Sequence, residues 1–150
     1  TRSHGVALGL QASGWKVRAT TRPGFPWDAG IHGLSEAYHQ AEVEGITYSA
    51  VTGWDLNKTP LDHYLAQAAD HYLHEAQTSG AEIIVAASNH ITALPALMAA
   101  RRLGVPFVYE VRGLWEVREE RHDRGRHRGW ERKGPPRDII ADIDVRLRAR

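Results

Sequence analysis

Residues 83–116, IIVAASNHITALPALMAARRLGVPFVYEVRGLWE, decide the fold, because they read as strand, polar loop, helix, Gly-Pro turn, strand and a second polar loop. The apolar run 83–86 and the β-branched and aromatic run 107–111 each suit a strand buried on both faces of a parallel sheet. Between them Leu94, Leu97, Met98 and Leu103 recur at helical spacing; Pro95 fits a first turn, and Gly104 followed by Pro106 stops the helix. Together these pieces make one βαβ unit. A right-handed crossover sends both strands the same way, so both end on the same sheet edge. Ser88, Asn89, His90 and Thr92 follow the first strand, and Glu110, Arg112 and Gly113 stand at the end of the second. Ligands of open α/β sheets bind outside the carboxyl ends of strands, so the two loops are expected to face one cleft.

Working outward, residues 59–62, TPLD, read as a helix start with Thr59 as N-cap, Pro60 at the first position and Asp62 in the first turn. The stripe Leu61, Tyr64, Leu65, Ala68, Tyr72 and Ala76 carries that helix to about Ser79, and Gly80 ends it. Residues 46–51 form a weaker strand candidate. Residues 15–19 alternate large apolar with cationic side chains, as in a strand near a sheet edge. Residues 22–34, RPGFPWDAGIHGL, form a long loop rather than an element. At the start, Val6, Ala7 and Leu10 are already in helical rhythm before Gly14. A helix so placed normally follows a first strand, which doubly wound sheets keep central; that strand and its loop are expected to be missing. The order is helix, strand, loop, strand, helix, strand, helix, strand, an α/β, Rossmann-like, doubly wound parallel layout.

Composition narrows the function classes. The chain has 150 residues, 42% of them hydrophobic, enough for one domain with a core. The formal net charge of +1 hides an asymmetry: residues 1–120 hold nine Lys/Arg against thirteen Asp/Glu, and residues 121–150 ten against five. The tail, HDRGRHRGWERKGPPRD and onward, is basic and reads as disordered or unrelated to the body; residues 139–147 suit a short helix or an alternating strand equally. Such a tail is compatible with peripheral membrane association, whereas a single aromatic, Trp130, and no folded motif argue against specific nucleic-acid binding. The absence of Cys removes disulfides, thiolate metal sites and a thiol nucleophile, and fits a cytoplasmic setting. GxSxG, Walker, HExxH and GxGxxG motifs are absent, so hydrolase, P-loop and dehydrogenase readings lack their anchors. His63, Asp70, His71 and His74 share one helix at spacings that can bind metal, but no third partner is specified, and a solvated face accounts for them.

Residues 1–120 resemble the N-terminal, acceptor-side domain of family 4 glycosyltransferases, retaining enzymes of the GT-B type built from two facing Rossmann-like domains. TRSHG with its helix and GWKVRATTRPGFPWD look like that family's first helix, second strand and following loop, and ASNHITALPALMAARRLGVPFVYEVRGLWE like its fourth strand, helix and fifth strand. Arg-Gly-Leu-Trp-Glu directly after a strand is the most specific part. The family's first strand, its glycine-rich loop and its nucleotide-sugar-binding C-terminal domain have no counterpart here, and residues 121–150 match nothing in the family. The resemblance implies transfer of a sugar from a nucleotide-sugar to a glycan or lipid-linked acceptor hydroxyl, without metal or other cofactor. As an acceptor-side fragment the chain is expected to be inactive without the missing domain.

By the same resemblance Asn89, His90 and Arg112 are the candidate catalytic residues. Arg112 offers a bidentate fork to phosphate or an acidic group, or else a structural salt bridge to Glu110 or Glu116. Asn89 and His90 can hydrogen-bond the reacting sugar or cap a turn. Candidate substrate-binding residues are Arg2, Ser3 and His4 at the first helix's amino end, Ser88, Glu110, Gly113, and Trp27, which with Phe25 can stack on a sugar or pack on its own domain. Two other readings stay open: a non-catalytic α/β binding or interaction module with a basic tail, and a sugar-nucleotide epimerase of the same two-domain architecture.

Overall fold

The computed structural model describes residues 2–29, 38–88 and 90–111, and residues 1–114 form one compact unit. Its elements are α1 (Arg2–Ala12), β1 (Arg18–Thr20), a single 3-10 turn (Trp27–Ala29), β2 (Tyr38–Val43), β3 (Ile46–Val51), α2 (Leu61–Ser79), β4 (Ile84–Ser88), α3 (His90–Leu103) and β5 (Phe107–Val111). Among the described residues these strands form two sheets. One is mixed, ordered β1-β3-β2, with β1 parallel and β2 antiparallel to β3; the other is the parallel pair β4-β5. The protein is therefore α/β, but the single all-parallel sheet expected from the sequence is not what these residues form.

Helices lie on both faces. Successive residues of a strand point to opposite sides, and on β3 Tyr48 meets His4 of α1 whereas Ser49 donates to Glu75 of α2, 3.1 Å away. On β5 Tyr109 packs into the core with α3, whereas the next residue, Glu110, pairs with Arg2 of α1 at 3.2 Å. Thus α1 spans one side of both sheets and α2 and α3 the other. The core sits between α2, α3 and β4-β5: Tyr64, Ala68, Tyr72, Ala86, Ala93, Ala96 and Ala99, with Ile84, Phe107 and Tyr109 against them. Alanines at the helix contact let the two axes approach closely.

Several expectations are corrected. The buried face of α3 is Ala93, Pro95, Ala96, Ala99 and Ala100 rather than the Leu/Met stripe, and Met98 is 37% exposed. Because α3 begins at His90, Pro95 falls in the second turn. Residues 84–88 rather than 83–86 form the strand, and neither strand of the pair is buried on both faces: the paired residues Val85 and Val108 are 44% and 46% exposed. The strand expected at 15–19 starts at Arg18, because α1 ends in a Schellman motif in which Gly14 (φ +92°) turns the chain and the Trp15 N–H bonds back to the Leu10 carbonyl. Helix α2 starts at Leu61, with Pro60 at the cap position and no capping bond from Thr59; instead the N–H groups of Lys58 and Thr59 both reach the Asp55 carbonyl, winding residues 55–59 into a turn of their own. Its end is as expected, with Gly80 left-handed at φ +64°. Strand β2 was not expected at all; it joins β3 through Glu44-Gly45, both at positive φ. Positions 30–34 of the long loop and the tail 121–150 lie outside the described residues.

One core group invites a test. The Tyr72 hydroxyl is buried without a hydrogen-bond partner among the described residues, and burial pushes its pKa up. An unpaired buried hydroxyl costs about 1 to 3 kcal/mol. Tyr72→Phe is therefore expected to leave stability unchanged or raise it by about 1 kcal/mol, read as the midpoint of urea unfolding; a loss would mean the hydroxyl has a partner.

Candidate functional site

Helix α1 touches both sheets through side chains. Its first residue, Arg2, touches Glu110 near the carboxyl end of β5, while Gln11 near its other end lies against Gly45, just before β3. It runs antiparallel to both strands, so β1, β3, β4 and β5 all deliver their carboxyl ends to one edge. Two described segments leave that edge: the loop after β1 and residues 52–60 after β3.

These two build a cleft. The loop after β1 is held by Arg22, whose guanidinium forks onto Asp28 at 2.5 and 3.0 Å and lies over the Phe25 ring, 5.5 Å from its centre. The Tyr64 hydroxyl donates to the Pro23 carbonyl at 2.7 Å and accepts from Arg22 at 3.5 Å. Burial opposes the charged guanidinium, but Asp28 and Tyr64 outweigh that cost and raise its pKa. The Asp28 carboxylate, 1% exposed, is committed to this lock. The Phe25-Pro26 peptide bond is cis. Against this loop lies the segment after β3, close enough that a Cβ on Gly24 would stand 1.9 Å from the Trp54 carbonyl oxygen. The hollow between them has a volume of about 190 Å³ and is lined by Gly24, Trp27 and Asp28 from the first loop and Thr52, Gly53, Trp54 and Asp55 from the second. Asp55 accepts the Asn57 N–H at 2.8 Å and pairs with Lys58 at 3.0 Å; Lys58 and then Asn57 hold its carboxyl below the usual carboxylate range.

The second pair of strand ends is in register. Ser88 opposes Val111, so the adjacent, co-directional strands β4 and β5 end level with each other. His90 opens α3 and is exposed. Asn89, Arg112 and Gly113 lie outside the described residues, as does the side chain of Ser88. Glu110 pairs with Arg2, uniting two candidate substrate-binding residues in one ion pair. His4 lies in the first turn of α1, where its Nδ1 is 2.7 Å from the Tyr48 hydroxyl and its Nε2 contacts Glu44, so it ties α1 to the β2-β3 hairpin. Ser3 is exposed on the same helix. Trp27 is the candidate that enters the cleft, while Phe25 serves the Arg22 lock. Thr52, Trp54, Asp55 and the Arg22-Asp28 pair were not among the sequence candidates; the available signal was Thr-Gly-Trp-Asp directly after the 46–51 strand.

The helix α2 histidines do not gather. Asp70 pairs with Arg102 at 2.5 Å, His63 with Asp62 at 4.0 Å, and no group of three metal-binding side chains occurs among the described residues. His71 packs between Trp54 and Tyr72, with Nε2 3.3 Å from the Thr20 hydroxyl. Burial lowers its pKa from 6.5, with Glu75 opposing and His74 reinforcing that shift. The folded state therefore prefers neutral His71. Its contribution is complete above pH 6.5 and is lost as the pH falls through 6.5 toward the lowered folded value. Melting temperature is expected to fall on acidification through this window, and His71→Gln should flatten that dependence; an unchanged slope would contradict the assignment.

No protein-family model matches the chain, and neither curated proteins nor solved structures give a match. No helix among the described residues is long and apolar enough to cross a membrane.

Proposed function

We propose that this chain is the acceptor-side half of a retaining glycosyltransferase of the two-domain GT-B type, passing a sugar from a nucleotide-sugar to an acceptor hydroxyl once joined to a donor-binding domain. The observation that carries the reading is the register of β4 and β5: positions 89 and 112 follow the paired residues Ser88 and Val111 on one edge. The aromatic and carboxylate cleft after β1 and β3 opens from the same edge, where α/β sheets bind ligands.

In this reading the two sheets are flanks of one doubly wound sheet. The connections β3-α2-β4 and β4-α3-β5 carry helices on the same face, and right-handed crossovers then step in the same direction. The order becomes β2-β3-β1, a central position, then β4-β5. That centre belongs to the first strand of the doubly wound order, which the described residues do not supply. Asn89 and His90 would hydrogen-bond the reacting sugar, where positive charge develops, and Arg112 would hold phosphate or an acidic acceptor group by its fork.

A hybrid enzyme tests the proposal. Residues 1–120 are joined to the donor-binding domain of a retaining glycosyltransferase, and the product's anomeric configuration is read by NMR. Retained configuration is expected, with kcat lowered about 100-fold or more by Arg112→Ala. A folded hybrid that binds donor yet inverts, or transfers nothing to any acceptor, would refute the reading.

A further inference from the structure

We propose that the cleft between the loops after β1 and β3 binds one neutral pyranose ring, received against its tryptophan-bearing wall and hydrogen-bonded by Asp55. As an acceptor subsite this rests on the transfer reading; as a sugar-binding site it rests on the cleft alone.

Size comes first. A volume of about 190 Å³ is roughly six liquid-water volumes. It falls below the roughly 300 to 1,000 Å³ of pockets that enclose drug-sized ligands. The hollow is the size of a single ring.

Charge narrows the class. The cleft's two carboxylates are each matched by one cation, Asp28 by Arg22 and Asp55 by Lys58. Arg22 is consumed by its fork to Asp28 and its contact with Phe25, so an entering phosphate or carboxylate would meet two carboxylates before any uncommitted guanidinium. A neutral ligand avoids that repulsion.

The donors and acceptors point to hydroxyls. A carboxylate has about four lone-pair sites, and Asp55 commits one oxygen to the Asn57 N–H and the other to Lys58. Its side chain is 30% exposed, so the remaining sites can accept two hydroxyl protons, the arrangement that adjacent ring hydroxyls offer. Indole faces complement the C–H-bearing face of a pyranose by apolar contact. Trp54 packs against His71, with ring centres 6.3 Å apart, and against the core, so the segment that carries it and Asp55 is positioned before a ligand arrives.

The full chain, labelled with nitrogen-15, is titrated in the cold with methyl pyranosides of the gluco, galacto, manno and N-acetylglucosamine types. The indole N–H signals of Trp27 and Trp54 are assigned from Trp27→Phe and Trp54→Phe. At least one pyranoside is expected to shift both signals saturably, with a dissociation constant of about 1 mM. Asp55→Ala should weaken that binding about tenfold, while Lys16→Ala, distant from the cleft, leaves it unchanged. Absence of a shift with every pyranoside overturns the proposal. Equal shifts from glycerol, or tighter binding of methyl phosphate, glucuronate or uridine, overturn it too. Pyranoside binding in a chain whose hybrid transfers nothing would leave this site standing and remove the transfer reading.

Discussion

Tyr64→Ala is expected to cost about 3 to 5 kcal/mol, a large share of the roughly 5 to 15 kcal/mol that stabilises an ordinary domain. Tyr64 is fully buried in the first turn of α2, where its ring joins the core and its hydroxyl holds the loop after β1 through Pro23 and Arg22. The truncation removes both at once. Tyr64→Phe separates them: it keeps the ring, releases the Pro23 carbonyl, and is expected to cost about 1 to 2 kcal/mol. Urea unfolding followed by circular dichroism reads both. Equal losses in the two variants would show that the loop, and not the core, dominates; a loss below about 1 kcal/mol for the alanine variant would contradict the packing described.

Gly24→Ala is the second large effect. Gly24 combines φ +83° with a backbone oxygen 1.9 Å from where a Cβ would stand, and its N–H bonds the Val51 carbonyl at 2.8 Å. The clash is with the Trp54 main chain, which cannot rotate away as a flexible side chain would. Adding left-handed strain to the displacement gives an expected loss of about 2 to 5 kcal/mol. It should also spread the two loops and abolish pyranoside-induced indole shifts at temperatures where the variant remains folded. Gly5→Ala and Gly9→Ala in α1 are the contrast: a Cβ there meets nothing within 4 Å. Each is expected to stabilise by about 0.5 to 1 kcal/mol. Comparable destabilisation at all three positions would show that the tight approach of the loops is not what Gly24 serves.

Much of the architecture was legible where local chemistry is strong. Strands 46–51 and 107–111 and the end of α2 at Gly80 follow from β-branched runs and from the left-handed turn a glycine permits. The hairpin β2-β3 was hidden because Glu44 occupies a positive-φ position that usually signals itself through Asn or Asp. The buried face of α3 was misjudged because leucines outweigh alanines in any hydrophobicity reading, whereas a close helix contact selects small side chains. The same long-range cause concealed the cleft. Trp54 and Asp55 acquire meaning only once β3 pairs with β1 and brings residues 24–28 beside them. Of the candidate residues, Trp27 reached that cleft and Arg2 and Glu110 found each other.

Sugar transfer at this edge requires positions 89 and 112 to share one hollow at the ends of β4 and β5. The chain contains no cysteine, so a pair introduced as Asn89→Cys and Arg112→Cys reports only on itself. Register-paired residues on neighbouring strands lie about 4.8 Å apart, within the roughly 4.4 to 6.8 Å that a disulfide spans. Mild oxidation of the double variant should close an intramolecular disulfide, detected by mass spectrometry, while Asn89→Cys with Lys16→Cys stays reduced. Two free thiols persisting at 89 and 112, in a chain that melts like the parent, would contradict the shared edge and with it the sugar-transfer proposal.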